Sequence, residues 1–437
     1  MENNTIDRKR QPQHSDIKIN AYPEVETKKM KNGIQLFVMN IQNTDLVRID
    51  FMFRGGAWVQ DKPLQAIATL MMLKEGAGKL SPQQINQMID FYGAKIYVKH
   101  SRTYCNLSVL CLKKFIKDVC KIVALFFNSP TFNDNSLQLV KQQLFTNYNI
   151  KKEKVGEMAE RALFTELLGY NHPATSYETE EDFKNLNKAL IEDYYNRFLN
   201  SDNCKVVLAG GVDANVMEII NNFFGNTYWG GDKPVLNVGK MICDRDIKPK
   251  TNCNNRVEYK MANKSMQAAV AAVNVLPRLK GKELAALLIT NDMLGGFFGS
   301  RLMANIREKN GLTYGIASTI RNFVNYAAVY IHTETSNDYV DRVIEEIKLE
   351  IEAMAKQPPT SEELNRVKNY FCGKSARTYE TNLDFPTHLI NNIALGFSIE
   401  DIAQIHEDIQ KLKPQDIAEC AKRYLDTNGF IYAVARG

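Results

Sequence analysis

Arg307 and Tyr314 stand seven residues apart in Gly295-Gly-Phe-Phe-Gly-Ser-Arg-Leu-Met-Ala-Asn-Ile-Arg-Glu-Lys-Asn-Gly-Leu-Thr-Tyr314, and both have chemistry to offer. The pattern predicts a helix from Arg301 to Lys309, a stop at Asn310-Gly311, and a strand beginning at Leu312. A tight helix-to-strand turn of this kind can bring a long arginine and a strand-start tyrosine to one rim. The guanidinium is always charged, and the phenol donates one directed hydrogen bond. In an arbitrary protein such a pair is more often a surface charge and a half-buried ring. Gly295, Gly296 and Gly299 are followed by no Gly-Lys-Ser/Thr, which argues against a phosphate-cradling loop and leaves close packing or cavity access as their use. Arg301 reads as a salt-bridge partner.

Other chemistries lack their residues. Zinc peptidases grip the metal with two histidines four apart on one helix face. The six histidines (14, 100, 172, 332, 388 and 406) include no such pair, so neither direction of that motif exists anywhere in the chain. No Gly-x-Ser-x-Gly elbow is present, and no Cys/His arrangement suggests a nucleophile with its base. His172-Pro173 reads as a turn, and Tyr170, Tyr194 and Tyr195 read as packing residues.

The elements that must position Arg307 and Tyr314 come in two sets. Asn196-Arg-Phe-Leu-Asn-Ser-Asp-Asn-Cys-Lys-Val-Val-Leu-Ala-Gly210 and Lys422-Arg-Tyr-Leu-Asp-Thr-Asn-Gly-Phe-Ile-Tyr-Ala-Val-Ala-Arg436 share a helix end, a polar turn and a hydrophobic strand, with Arg423 standing 226 residues after Arg197. Pro130-Thr131 before Leu137-x-x-Val140-Lys141 is matched by Pro359-Thr360 before Leu364-x-x-Val367-Lys368, at an offset of 227 between the leucines. Two matches at nearly one offset indicate duplicated tandem domains. The expected division is a flexible tail over 1–25, one domain over 26–225, a Gly-, Asp-, Lys- and Asn-rich linker without sustained period over 226–255, and a second domain over 256–437. Gly33 to Met39 and Leu46 to Phe53 read as adjacent strands. Gln65 to Lys74 reads as the first helix and Ser81-Pro82 as the start of the next. Cys105 to Cys111 is a strand, followed by helices from Lys113 to Phe127 and from Asn135 onward. The expected class is therefore α+β, each half a mainly antiparallel sheet covered by helices on one face.

The 437 residues are 44% hydrophobic and 24% charged, which suits a folded chain of two to four domains. A net charge of +5, dispersed over 55 basic and 50 acidic residues, is too small to indicate nucleic acid. No apolar stretch approaches the roughly 18 residues that span a bilayer, and the polar start lacks the apolar segment of a signal peptide. Eight scattered cysteines without a Cys-x-x-Cys pair favour buried free thiols in a reducing compartment, hence a cytoplasmic location.

The order and spacing of Phe53-Arg-Gly-Gly-Ala-Trp58, Lys74-Glu-Gly76, Phe91-Tyr-Gly-Ala94, His172-Pro173, Val207-Leu-Ala-Gly210 and the Arg307/Tyr314 segment make the chain similar to the pitrilysin/insulinase family of inverted-zincin metallopeptidases, from about Lys28 to the C-terminus. In active members the helix matching Pro63 to Gly76 carries His-x-x-Glu-His. Here Ile67, Ala68, Thr69, Leu70 and Met71 stand at those places, and no carboxylate stands near Asn147 and Tyr148, where the third ligand would fall. Ile67, Leu70 and Met71 are expected to form a core-facing stripe. No metal ligand and no cofactor is expected in this chain. The resemblance implies that Arg307 and Tyr314 are catalytic, holding the substrate carbonyl and its developing oxyanion across a cavity from zinc. It also implies a homologous zinc-bearing partner subunit, the two chains closing around a short or unfolded peptide. The alternative is a catalytically inactive peptide-binding or scaffold protein, a homodimer like the family's core proteins. Neither a nucleic acid nor a membrane is expected as a partner.

Overall fold

The computed structural model describes residues 23–170, 172–245, 255–380 and 384–437. Most of the expected tail (1–22) and the 246–254 part of the expected linker, with Cys253, lie outside the described residues.

Among the described residues eleven strands form two sheets. The first contains β1 (Glu26–Lys29), β2 (Gln35–Asn40), β3 (Leu46–Arg54), β4 (Lys95–His100), β5 (Tyr104–Leu112) and β6 (Cys204–Gly210), in the order β1-β2-β6-β3-β5-β4. The second contains β7 (Arg256–Lys260), β8 (Gln267–Pro277), β9 (Thr313–Asn322), β10 (Tyr326–Ser336) and β11 (Phe430–Arg436), in the order β7-β11-β8-β10-β9. From β2 onward the two orders are the same. Each sheet has one parallel pair, β2 with β6 and β7 with β11, and is otherwise antiparallel. The class is α+β with two halves of one topology.

One expectation fails in detail. β2 and β3 are not neighbours, because β6 lies between them. β6 is buried along almost its whole length, which suits a central strand packed on both faces. That strand arrives about 160 residues later in the chain, beyond the reach of local pattern. The first helix ends at Met72, and Ser81 caps Pro82–Phe91 through a reciprocal pair with Gln84. A further helix, Val238–Arg245, lies within the expected linker, where the sequence shows no sustained period. Val238 and Ile242 are buried, and Arg245 donates to the Trp58 carbonyl at 2.8 Å. Two buried positions in eight residues are too few for a visible period.

Each half's own helices cover one face of its sheet. Beneath the first, Phe51, Phe53, Phe127, Phe224 and Trp229 form an aromatic core, with Phe127 stacked on Trp229 at 4.8 Å. The second face of each sheet is covered by a helix from the other half. Val155–Leu168 lies across β8, β11, β7 and β10, and Phe385–Ala394 lies on β3 and β6. Along β8 the residues alternate accordingly: Ala268, Val270 and Ala272 pack with second-half helices, whereas Ala269, Ala271 and Val273 pack with the first-half core. An arginine pins each crossing helix. Arg48, paired with buried Asp50 at 2.6 Å, donates to Thr387 at 2.9 Å, and Arg321 on β9 donates twice to Glu160. Six of the seven described cysteines are buried free thiols, and Cys243 is exposed.

Because the crossing helices join the two cores, Leu163→Ala and Leu389→Ala, both at fully buried positions, are each expected to cost about 2–5 kcal/mol. Denaturant unfolding followed separately by tryptophan fluorescence and by far-UV circular dichroism should give coincident transitions for both variants.

Candidate functional site

The segment that carries Arg307 is not a regular α-helix. Met303–Lys309 is a π-helix, as is Asp292–Gly296 on the other side of the Phe297-to-Ser300 loop. The wide turn is closed by Leu312 N–H to Ile306 O and Asn310 N–H to Asn305 O, both 3.0 Å. Reading for a period of 3.6 could not foresee it, and such widened turns are frequent at functional sites. Gly311, at φ +62°, then turns the chain into β9. The Gly295 stretch packs against that strand. A Cβ at Gly295 would stand 2.7 Å from Ser318 Cβ, and Asn291 and Ser318 exchange hydrogen bonds of 2.5 and 3.1 Å. Close packing is thus the use of this glycine.

The turn brings Arg307 and Tyr314 together. The guanidinium lies 5.6 Å from the centre of the Tyr314 ring and 4.6 Å from that of Phe298. Tyr314 is 92% exposed and Phe298 61%. Among the described residues neither Arg307 nor Tyr314 has an ion pair or a side-chain hydrogen bond. Arg301 contrasts sharply, since Glu363 takes both arms of its guanidinium at 2.8 and 2.9 Å, as expected for a salt-bridge residue.

Tyr314 and Phe298 stand at a cavity of about 1090 Å³ between β9, β10 and the first turns of Val155–Leu168 from the other half. At one end Arg321 donates to Glu160 at 2.5 and 2.7 Å and lies 3.9 Å over the Tyr330 ring. Burial alone would raise the Glu160 carboxyl, but the Arg321 guanidinium outweighs it and holds the group below its ordinary range. Burial, reinforced by Arg321, pushes His332 down, so this imidazole is neutral at pH 7. Glu160, Arg321, Phe298 and His332 escaped the sequence reading. Their only signal is position, an edge strand and a helix that meet across a fold-level crossing.

The degenerate helix Gln65–Met72 contributes nothing to the lining of this cavity. Within this chain the wall opposite Tyr314 is Val155–Leu168. The expected stripe also needs correction. Leu70 is fully buried, but Ile67 and Met71 are only half-buried, and the core side is Ala66, Ala68, Thr69, Leu70 and Met72. Ile67 and Met71 share a helix face because they are four apart, and that face is the less covered one. Tyr148 is buried against Phe183 at 5.2 Å, and Asn147 is exposed. Among the described residues no three His, Cys, Asp or Glu side chains gather closely enough to hold a metal ion. His172 caps the turn Pro173–Thr175, its Nδ1 accepting from Ala174 N–H. Tyr194 and Tyr195 are buried and donate to the Gly56 and Phe127 carbonyls. Tyr170, expected to pack, is 85% exposed.

Residues 185–371 match the family model described as the peptidase M16 inactive domain. A protein of Helicobacter pylori named a non-peptidase homolog, YmxG, is 23% identical over 393 residues, covering 88% of each chain. Among solved structures, the peptidase M16 inactive domain from Pseudomonas fluorescens superposes with a TM-score of 0.82 at 19% identity, over 94% of this chain and 98% of that one. A chain of complex III2 from Candida albicans superposes with a TM-score of 0.73 at 11% identity, over 94% and 96%. At these identities the superpositions establish the fold. No described helix is long and apolar enough to cross a membrane.

Leu70→Glu would set a carboxylate where the core is closed and is expected to cost more than about 3 kcal/mol in urea unfolding. Glu160→Gln should cost about 2–3 kcal/mol at pH 7, because it leaves Arg321 unpaired. Since the folded-state value of Glu160 is lowered, its contribution is present above the ordinary carboxylate range. The difference from wild type should therefore shrink as pH falls below about 5 and vanish beneath the lowered value. Paired urea titrations at pH 7 and in acid check the sign.

Proposed function

Starting from a chain of the M16 peptidase family, of pitrilysin/insulinase type and without the family's zinc-binding residues, we propose that it is the non-zinc subunit of a two-component peptidase. It binds short or unfolded polypeptides and presents Arg307 and Tyr314 to the peptide carbonyl. A homologous partner bearing His-x-x-Glu-His would supply the zinc that activates water, and this chain would hold none. One observation carries the reading: Arg307 and Tyr314 converge, without internal partners, beside a cavity wide enough for an extended peptide. β9, whose first residues include Tyr314, is the outer strand of its sheet. Its free edge suits main-chain pairing with an extended segment.

The division of labour follows from the charges. As a tetrahedral centre forms, its oxygen gains negative charge, and the guanidinium N–H and phenol O–H donors stabilise that charge more than the neutral carbonyl. An arginine already neutralised by a carboxylate could not do so. The scaffold alternative draws support from the name of the Helicobacter pylori relative and from the fold's occurrence in complex III2. A scaffold has no use for an unpaired Arg307. We assign the assembly to the cytoplasm, where the buried thiols stay reduced.

The test is to isolate the complex from its native source through a tag on this chain, measure bound zinc, and assay hydrolysis of a fluorogenic unfolded polypeptide. Arg307→Glu should leave the assembly intact and remove at least about 10³-fold of the turnover, and Tyr314→Phe about 10²-fold. Normal turnover by the Arg307→Glu complex, or a zinc-free assembly without hydrolysis, would reject the proposal; the second result would favour the scaffold.

A further inference from the structure

A second, smaller cavity of about 230 Å³ lies at the seam between the halves, apart from Arg307 and Tyr314. From the first half it is lined by Trp58, Arg102 and Tyr104, and from the second by Phe323, Asn391 and Leu395. Among the described residues two of its lining side chains, Arg102 and Asn391, have nitrogen donors without acceptors, while Trp58 is fully buried and offers the cavity no accessible donor. Arg102 has no carboxylate partner there. Its guanidinium lies between the rings of Phe164 and Phe323, at 5.4 and 5.1 Å from their centres. Glu160, the carboxylate that acts on it, is already engaged by both arms of Arg321. Asn391 accepts the Tyr104 hydroxyl on Oδ1 at 2.5 Å. That contact fixes the orientation of the amide and leaves Nδ2 as a spare donor.

Buried donors and charges without acceptors are costly, and native structures rarely leave several of them around one hollow. Here two guanidinium groups share one carboxylate, so the seam carries an uncompensated positive charge. Burial and the neighbouring Arg321 both disfavour the charge on Arg102, in the direction that an added anion would reverse. We propose that this seam cavity is a binding site for a small monocarboxylate, its oxygens taken by Arg102 and Asn391 and its apolar part set against Phe323 and Leu395. One free guanidinium and one neutral donor match one negative charge. A phosphate dianion would need a second free cation, which Arg321 cannot supply. The size admits a small organic acid or the C-terminal residue of a peptide, and both present the same carboxylate.

The experiment titrates the whole chain with benzoate, acetyl-phenylalanine, acetyl-phenylalaninamide, inorganic phosphate and chloride. Readouts are the thermal midpoint and the fluorescence of the two tryptophans. Both carboxylates should bind saturably and raise the midpoint, while the amide, phosphate and chloride should not. Acetyl-phenylalanine binding more tightly than benzoate assigns the site to peptide C-termini; the reverse assigns it to free organic acids. Arg102→Gln should weaken carboxylate binding by at least about tenfold. Asn391→Asp keeps the acceptor for Tyr104, removes the donor, and should weaken it severalfold, so the proposal stays testable if one variant fails to fold. Absence of saturable carboxylate binding, equal binding of acid and amide, or wild-type affinity in either folded variant would overturn it. None of these readouts depends on peptide hydrolysis.

Discussion

The structure depends on one exchange: each half sends a helix across to cover the open face of the other half's sheet. A sheet whose own helices cover a single face leaves the second face apolar, and that face must be buried somewhere. On the second sheet the requirement shows as small residues, Ala269 and Ala271 on β8 and Ala433 and Ala435 on β11, which let Val155–Leu168 approach closely. On the first sheet Phe37, Met39, Met52 and Val207 meet Phe385 and Leu389. Neither half can close its core alone, so two tandem sheets become one folding unit.

The cavity beside Tyr314 is where this cover is incomplete. Val155–Leu168 packs over β8 and β11, but its first turns stand away from β9 and leave about 1090 Å³ open. Polar residues appear there because the face is partly solvated: Glu160 and Arg321 at one end, His332 beside them, Tyr314 at the rim. The same crossing therefore produces both the closed core and the hollow beside it. An ion pair at that junction ties the cavity wall to β9, the strand that carries Tyr314.

Much of the architecture could be read from the residues because it rests on local signals. The strand at Cys105, the capped helix after Ser81 and the stop at Gly311 each follow from a few neighbouring side chains. The duplication was visible because Arg197 and Arg423 sit in the same helix-turn-strand setting. β6 between β2 and β3, the docked helix Val238–Arg245 and the exchanged helices were not, since each is decided by partners more than a hundred residues away. At the site, the family resemblance pointed to Arg307 and Tyr314, but their distance from each other depends on a π-turn with no compositional signature. The stripe on the degenerate helix was misjudged by its phase. Leu70 is buried, but Ile67 and Met71 keep the less covered face.

That phase bears on how a zinc-site helix can lose its ligands without losing its place. The positions of the two missing histidines face partial solvent, where Ile67 and Met71 exclude water from a site with no metal to offer. The intervening position, Leu70, has become part of the closed core, which a carboxylate could rejoin only at the expense of stability. Arg307 has had the opposite fate. Six residues before it, Arg301 is neutralised by Glu363, showing that this surface readily provides a carboxylate for a guanidinium. Arg307 instead rests on the faces of Phe298 and Tyr314, contacts that hold a cation in place while leaving its charge uncancelled. A guanidinium steered by aromatic rings and kept from carboxylates suits the role proposed for it, meeting an anion that comes from outside the chain.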